Sequence, residues 1–248
     1  MNEDLDEALA PLPSSLELAW GLRTRPKHGP KPGLTLDRIV AAGIKIALTQ
    51  GVGVLSMARV AGELGVGTMS LYRYVAAKDD LLTLMVDTAI GVPPPADDPG
   101  TEWRADLTRW AVGVRAAYRR HPWVLRVPIS GPPAGPNNVA WLEAGLRALA
   151  VTPLSEPEKV STILLLSGFV RSEATLSADI AAATAEPATP YGAMLSRLAD
   201  PAHFPALHRA IAFGAFDESN DPNVEFNYGL HRILDGVERL ATSMERPS

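Results

Sequence analysis

The chain has 248 residues, 46% of them apolar, enough to bury two domain cores, and it has no cysteine, which excludes disulfides and thiolate metal sites. Its formal net charge is −5, yet residues 20–78 carry nine Lys or Arg against only Asp37 and Glu63, so a local excess of +7 stands against −12 elsewhere. The acidic start is unlike a secretory leader, and the longest apolar run, around Val160 to Val170, is too short to span a bilayer; a cytoplasmic protein without a membrane partner is expected.

Residues 1–33 read as a mobile arm. The first nineteen hold Glu3, Asp4, Asp6, Glu7 and Glu17, with only a short apolar patch around Leu16, Leu18, Ala19 and Trp20. Residues 23–33, RTRPKHGPKPG, are too rich in Pro and Gly for a helix and suit an extended basic arm, with Arg23 and Arg25 placed to add phosphate or minor-groove contacts.

Residues 34–91 read as a helix-turn-helix domain. A helix over 35–50 carries Leu36, Ile39, Val40, Gly43, Ile44, Ala47 and Leu48 on one stripe and stops at Gly51-Val52-Gly53. Ser56 is placed to cap the next helix, whose Met57, Val60, Ala61 and Leu64 face inward, and Gly65 ends it. Val66 plugs the corner. Thr68 is expected to cap a second short helix with Leu71 and Val75 inward, which leaves Thr68, Met69, Ser70, Tyr72, Arg73 and Tyr74 pointing elsewhere. Lys78-Asp79-Asp80 then opens a helix running to Gly91.

A helix of this kind fits the major groove of B-form DNA. Hydroxyls and a guanidinium pair with base edges, and a methionine contacts a thymine methyl. Thr68, Met69, Ser70 and Arg73 are therefore assigned to base contact, and Tyr72, Tyr74 and Lys78 to phosphates, which fix register without reading sequence. Ser56 completes the DNA-contact set. The competing reading is an amphipathic helix in an all-helical protein with half-buried tyrosines.

The segment ALTQGVGVLSMARVAGELGVGTMSLYRYVAAKDDLL resembles the DNA-binding domain of tetracycline-repressor-like (TetR) transcriptional regulators. The resemblance covers residues 35–90 and rests on the LGV turn, the Leu71-Tyr72 pair, the aromatic Tyr74, and K-D-x-L-L from Lys78 to Leu82. It places the reader positions on Thr68, Met69, Ser70, Tyr72, Tyr74 and Lys78, with Arg73 an added candidate. Tyr74 departs from the His or Phe often found there.

Residues 91–100, GVPPPADDPG, cannot continue a helix and mark a boundary. Residues 101–243 again read as helices, over 102–120, 122–127, 136–150, 156–183, 191–199, 205–213 and 222–242. The expected fold is all-α: a three-helix helix-turn-helix DNA-binding domain, then a larger helical domain. The resemblance implies that this larger domain binds a small molecule and dimerises through a four-helix bundle of its last long helices. Ile163, Leu164, Ser167, Gly168 and Arg171, with Phe226, Leu230, Ile233, Leu234 and Val237, are the candidate dimer surface, though both faces also suit the subunit's own core. The aromatic set Trp103, Trp110, Tyr118, Trp123, Trp141 and Phe169, with the polar Arg171, Glu173 and His208, is the candidate pocket lining; core packing is the competing use.

The five histidines show no metal-binding spacing, and neither a phosphate-binding glycine loop nor a G-x-S-x-G nucleophile turn is present, so no cofactor is expected. The expectation is a homodimeric repressor, not an enzyme, that leaves a palindromic double-stranded operator when a small-molecule effector binds. Two alternatives stay open: a helical protein-interaction module that does not bind DNA, and an all-helical enzyme using residues 128–136 as an active-site loop.

Overall fold

The computed structural model describes residues 12–22, 34–95, 102–129, 131, 133–183, 190–216 and 223–244, among which all regular structure is helical. Eleven α-helices follow in order: α1 (Ser14–Ala19), α2 (Leu36–Gln50), α3 (Met57–Leu64), α4 (Thr68–Leu71), α5 (Lys78–Ile90), α6 (Trp103–Arg120), α7 (Pro136–Ala148), α8 (Glu156–Ala183), α9 (Tyr191–Leu198), α10 (Pro205–Ala212) and α11 (Val224–Met244). Short 3-10 turns at Val52–Val54 and Pro122–Arg126 follow α2 and α6. No helix among the described residues is long and apolar enough to cross a membrane.

Local chemistry sets the helix ends. The Thr35 hydroxyl accepts from the Arg38 N–H at the start of α2, and the Ser56 hydroxyl from the Arg59 N–H at the start of α3, both at 3.2 Å. At its other end α3 stops on Gly65 with φ of 66°, where Val66 N–H reaches the Ala61 carbonyl at 3.0 Å and Gly65 N–H reaches that of Gly62 at 3.2 Å. That pair of bonds is a Schellman closure, and it depends on a residue that tolerates the left-handed region.

Ile39, Ile46, Val60, Leu71, Val75, Leu81 and Met85 form the core of the N-terminal part. Gly43 lets α2 lie close on α5, since a Cβ there would meet the Met85 sulfur at 2.6 Å. In the C-terminal part, α6 packs against α7, α8 and α11. Leu107, Leu149, Leu166, Phe226, Leu230 and Leu234 are buried between them.

Two expectations need correction. The arm assigned to residues 1–33 contains a helix, α1, which packs on α5 with Ser15 buried and Ala19 against the core. Ser14 Oγ donates to Asp80 at 3.2 Å, and Trp20 Nε1 donates to the Ala134 carbonyl at 2.8 Å. Residues 1–11 and 23–33, with Arg23 and Arg25, lie outside the described residues.

Thr68 does not cap α4. Gly67 holds the cap position and Thr68 is the first helical residue. In the expected dimer surface, Ile163, Phe226, Leu230, Leu234 and Val237 are buried within the subunit, while Leu164 stays 62% exposed. One helical stripe serves the core and the neighbouring stripe faces outward.

Candidate nucleic-acid interface

The reader is one turn of α4 followed by a tight turn over residues 72–74. Leu71 and Val75 anchor it, both completely buried. Between and around these anchors Met69 is 76% exposed and Tyr72 45% exposed, Arg73 is exposed, and Thr68 and Ser70 are half-buried. The five side chains therefore share one short element whose inward positions are fully committed to the core. Lys78 is exposed at the first position of α5. Ser56 accepts from Arg59, but its hydroxyl hydrogen is left to donate.

Tyr74 differs from the rest. It is half-buried, and its hydroxyl donates to the Leu34 carbonyl at 3.0 Å. A phosphate oxygen only accepts, so a phenol already donating elsewhere has nothing to offer it. This tie lays the start of α2 beside the reader turn and brings in a feature that residue patterning missed: the α2 N-terminus with the exposed Arg38. Free amides and positive helix-dipole charge at that end suit a phosphate. The Thr35 cap was the signal for it in the sequence. Nearby, Lys45 pairs with Glu63 at 2.6 Å and Arg59 donates to Gln50 at 2.5 Å, so both cations are engaged within the subunit.

The residues proposed for a ligand pocket fall into separate clusters. Trp110 and Trp141 meet edge to face at 6.0 Å and line a small pocket with Pro93, Pro94, Arg109 and Arg147. Their indole N–H groups are engaged, Trp110 with the Trp141 carbonyl and Trp141 with the Gly91 carbonyl, each at 2.8 Å. Trp103 is half-buried against the core.

Tyr118 lies 5.9 Å beneath the Arg171 guanidinium, which donates to the Val127 carbonyl at 3.2 Å and the Leu125 carbonyl at 3.4 Å. Trp123 is buried and meets His121 edge to face at 6.3 Å. His121 Nδ1 and Trp123 Nε1 are enclosed and find no hydrogen-bond partner among the described residues. Burial, then the charge of Arg120, holds the His121 imidazole below its ordinary range.

Phe169 and Glu173 belong to a buried lock. Phe169 stacks on Phe226 at 5.7 Å, and Arg115, 4% exposed, holds both Glu173 oxygens at 2.7 Å while donating to Asn223 at 2.7 Å and covering the Phe226 ring at 4.3 Å. Glu173, expected in the pocket, thus neutralises a guanidinium that joins α6, α8 and α11. His208 is distant from these groups in role: its Nε2 meets the Ala199 carbonyl at 2.6 Å, tying α10 to the end of α9. A larger cleft of about 540 Å³ lies instead between α1, α2, α5 and the start of α7, lined by Leu18, Leu36, Val40, Ile44, Leu84 and Asp87.

Residues 94–241 match the family model described as the tetracyclin repressor-like C-terminal domain. The chain is 39% identical to the HTH-type transcriptional repressor DrrR1 of Streptomyces coeruleorubidus, over 91% of this chain and 85% of that one. It is 30% identical to an HTH-type transcriptional regulator of Saccharopolyspora erythraea, over 85% of this chain and 87% of that one. Its fold is similar to that of ActR, a TetR family protein of Streptomyces coelicolor. The apo form superposes with a TM-score of 0.74 at 27% identity over 86% of this chain and 99% of ActR, and the actinorhodin complex with 0.72 at 29% identity over 84% and 98%. With an exposed reader turn set on a buried three-helix core, and with this likeness along both parts, the chain belongs to the TetR family of helix-turn-helix transcriptional regulators.

Proposed function

We propose that the protein is a homodimeric repressor that binds a palindromic DNA operator and leaves it when a small molecule binds the C-terminal domain. The observation that carries the DNA side is the division of residues 68–75: Leu71 and Val75 are buried while Met69, Tyr72 and Arg73 stand exposed on a single short element. Thr68, Met69, Ser70 and Arg73 read base edges; Tyr72, Lys78, Ser56 and the α2 N-terminus with Arg38 hold phosphates.

Dimerisation is supported by exposed apolar residues on α8 and α11, the two longest helices among the described residues. Leu164, Leu165 and Leu176 on α8, with Tyr228 and Leu240 on α11, are exposed apolar residues on helices that already bury their other face. A second copy covers them, and two reader turns then reach half-sites about one DNA turn apart.

The effector reading is supported by the family and by ActR, whose complexes hold actinorhodin and (S)-DNPA. Here Trp110 and Trp141 supply aromatic walls to a pocket that Pro93, Pro94, Ala144 and Ala148 also line, which suits an apolar compound. The protein acts by binding, not turnover. Selection from a random duplex pool, followed by a thermal-shift screen of aromatic compounds and competition with the selected duplex, tests both halves. Compounds that raise the melting temperature and release DNA are expected; ligands that stabilise the protein without altering DNA affinity would contradict the release mechanism.

A further inference from the structure

Helix α7 cannot cap itself. Its first residue, Pro136, has no N–H, and Gly135 before it has no side chain to accept from the open amides of the first turn. The acceptor comes from fifty residues earlier, from the last helix of the reader domain. Asp87 on α5 is 5% exposed, and each of its carboxylate oxygens serves one asparagine of α7.

Oδ1 accepts from the Asn138 backbone N–H at 3.0 Å and from its side-chain amide at 2.7 Å. Oδ2 accepts from the Asn137 backbone N–H at 3.3 Å and from its side-chain amide at 3.0 Å, and that amide also reaches the Asp87 carbonyl at 3.1 Å. A carboxylate buried against the positive end of a helix makes strong, charge-assisted bonds. The fit is tight: a Cβ at Gly135 would collide with the Asp87 carboxyl, although the backbone there, at φ of −67°, accepts any residue. Two tryptophans flank the joint, Trp141 donating to the Gly91 carbonyl and Trp20 to the Ala134 carbonyl, each at 2.8 Å.

We infer that Asp87 is a positioning residue: by capping α7 across the domain boundary it fixes the angle of the reader domain on the dimerisation domain, and so sets the half-site spacing that the dimer accepts. This rests on the reading of a dimer on a palindromic operator. The geometry favours such a role because α5 starts directly after the reader turn and ends at Gly91, whose carbonyl is itself held. A rotation of the reader about this joint has to break the Asp87 bonds, and nothing within α7 replaces them.

The test uses the full-length protein and the duplex that it selects from a random pool, together with duplexes in which the two half-sites are moved apart or together by one and two base pairs. Asp87→Ala removes the cap; Gly135→Ala keeps every polar group but wedges the joint open; Asn138→Ala removes one donor from the far side. Wild type is expected to discriminate sharply between spacings. Asp87→Ala and Gly135→Ala are expected to bind the selected spacing roughly three- to tenfold more weakly, to lose most of that discrimination, and to keep the base preference within each half-site. Asn138→Ala is expected to fall between, and it keeps the test decisive if Asp87→Ala does not fold. Folded Gly135→Ala or Asn138→Ala protein with wild-type affinity and wild-type discrimination would overturn the inference. A wild type that selects no sequence refutes the operator reading instead, so the two failures are told apart.

Discussion

The phenol of Tyr74 donates to the carbonyl of Leu34 at 3.0 Å, and this bond fastens the end of the reader turn to the start of α2. Tyr72, two residues earlier, is 45% exposed and faces outward. Of the two tyrosines in the turn, Tyr74 is thus spent on the framework and Tyr72 is left exposed.

Tyr74→Phe is expected to cost about 1 kcal/mol of stability, the net worth of one hydrogen bond, while leaving the salt dependence of DNA binding unchanged. Tyr72→Phe should do the reverse, with an unchanged urea midpoint and weaker binding to every sequence. Urea unfolding and DNA titration on the same two variants separate these outcomes.

Met69 and Arg73 touch little of the subunit, so replacing either by Ala should change stability by less than about 0.5 kcal/mol. Their effect should appear on DNA. Arg73→Ala is expected to relax preference at one base pair by roughly 1–3 kcal/mol, and Met69→Ala to weaken a preference for thymine; repeating the duplex selection with each variant checks this.

Glu173→Ala removes both carboxylate acceptors from the Arg115 guanidinium in a buried site. A loss of about 3–5 kcal/mol is expected, read as a lowered urea midpoint. If Glu173 lined a ligand site instead, the variant would keep its stability and lose only effector response.

Much of the architecture was legible because helix ends are written locally: Thr35, Ser56 and Gly65 cap or stop their helices as their chemistry dictates, and α8 spans Glu156–Ala183 as its apolar spacing predicts. What stayed hidden is long-range. The apolar patch at Leu16 to Trp20 reads as part of a mobile arm because nothing local reveals that α5 packs on it and that the Ala134 carbonyl accepts from Trp20. Glu173 reads as a polar candidate for the pocket lining because its partner Arg115 is 58 residues away. The α8 and α11 stripes mix inward and outward residues one position apart, and only packing separates Ile163 from Leu164.

His121 is held neutral by burial and by Arg120, so its pKa in the fold lies below the ordinary value of 6.5. Between those two values the unfolded chain binds more protons than the folded one, and stability falls as pH drops through that window. His121→Gln should flatten the melting temperature there. Asp235 behaves in the same direction at lower pH: the Arg104 hydrogen bond lowers its pKa, and its contribution, present above the ordinary carboxylate value, is lost as pH falls through the lowered one. Melting curves of wild type, His121→Gln and Asp235→Asn across the acid range resolve the two.

Selection from a random duplex pool, followed by titration of the winning duplex against salt, tests sequence-specific DNA binding by a dimer. The expected result is a palindrome whose half-sites lie about one helical turn apart, and an affinity that falls steeply with salt, by about 0.9 log units per log unit of salt for each phosphate neutralised. Recovery of no preferred sequence, or binding indifferent to salt, would contradict it.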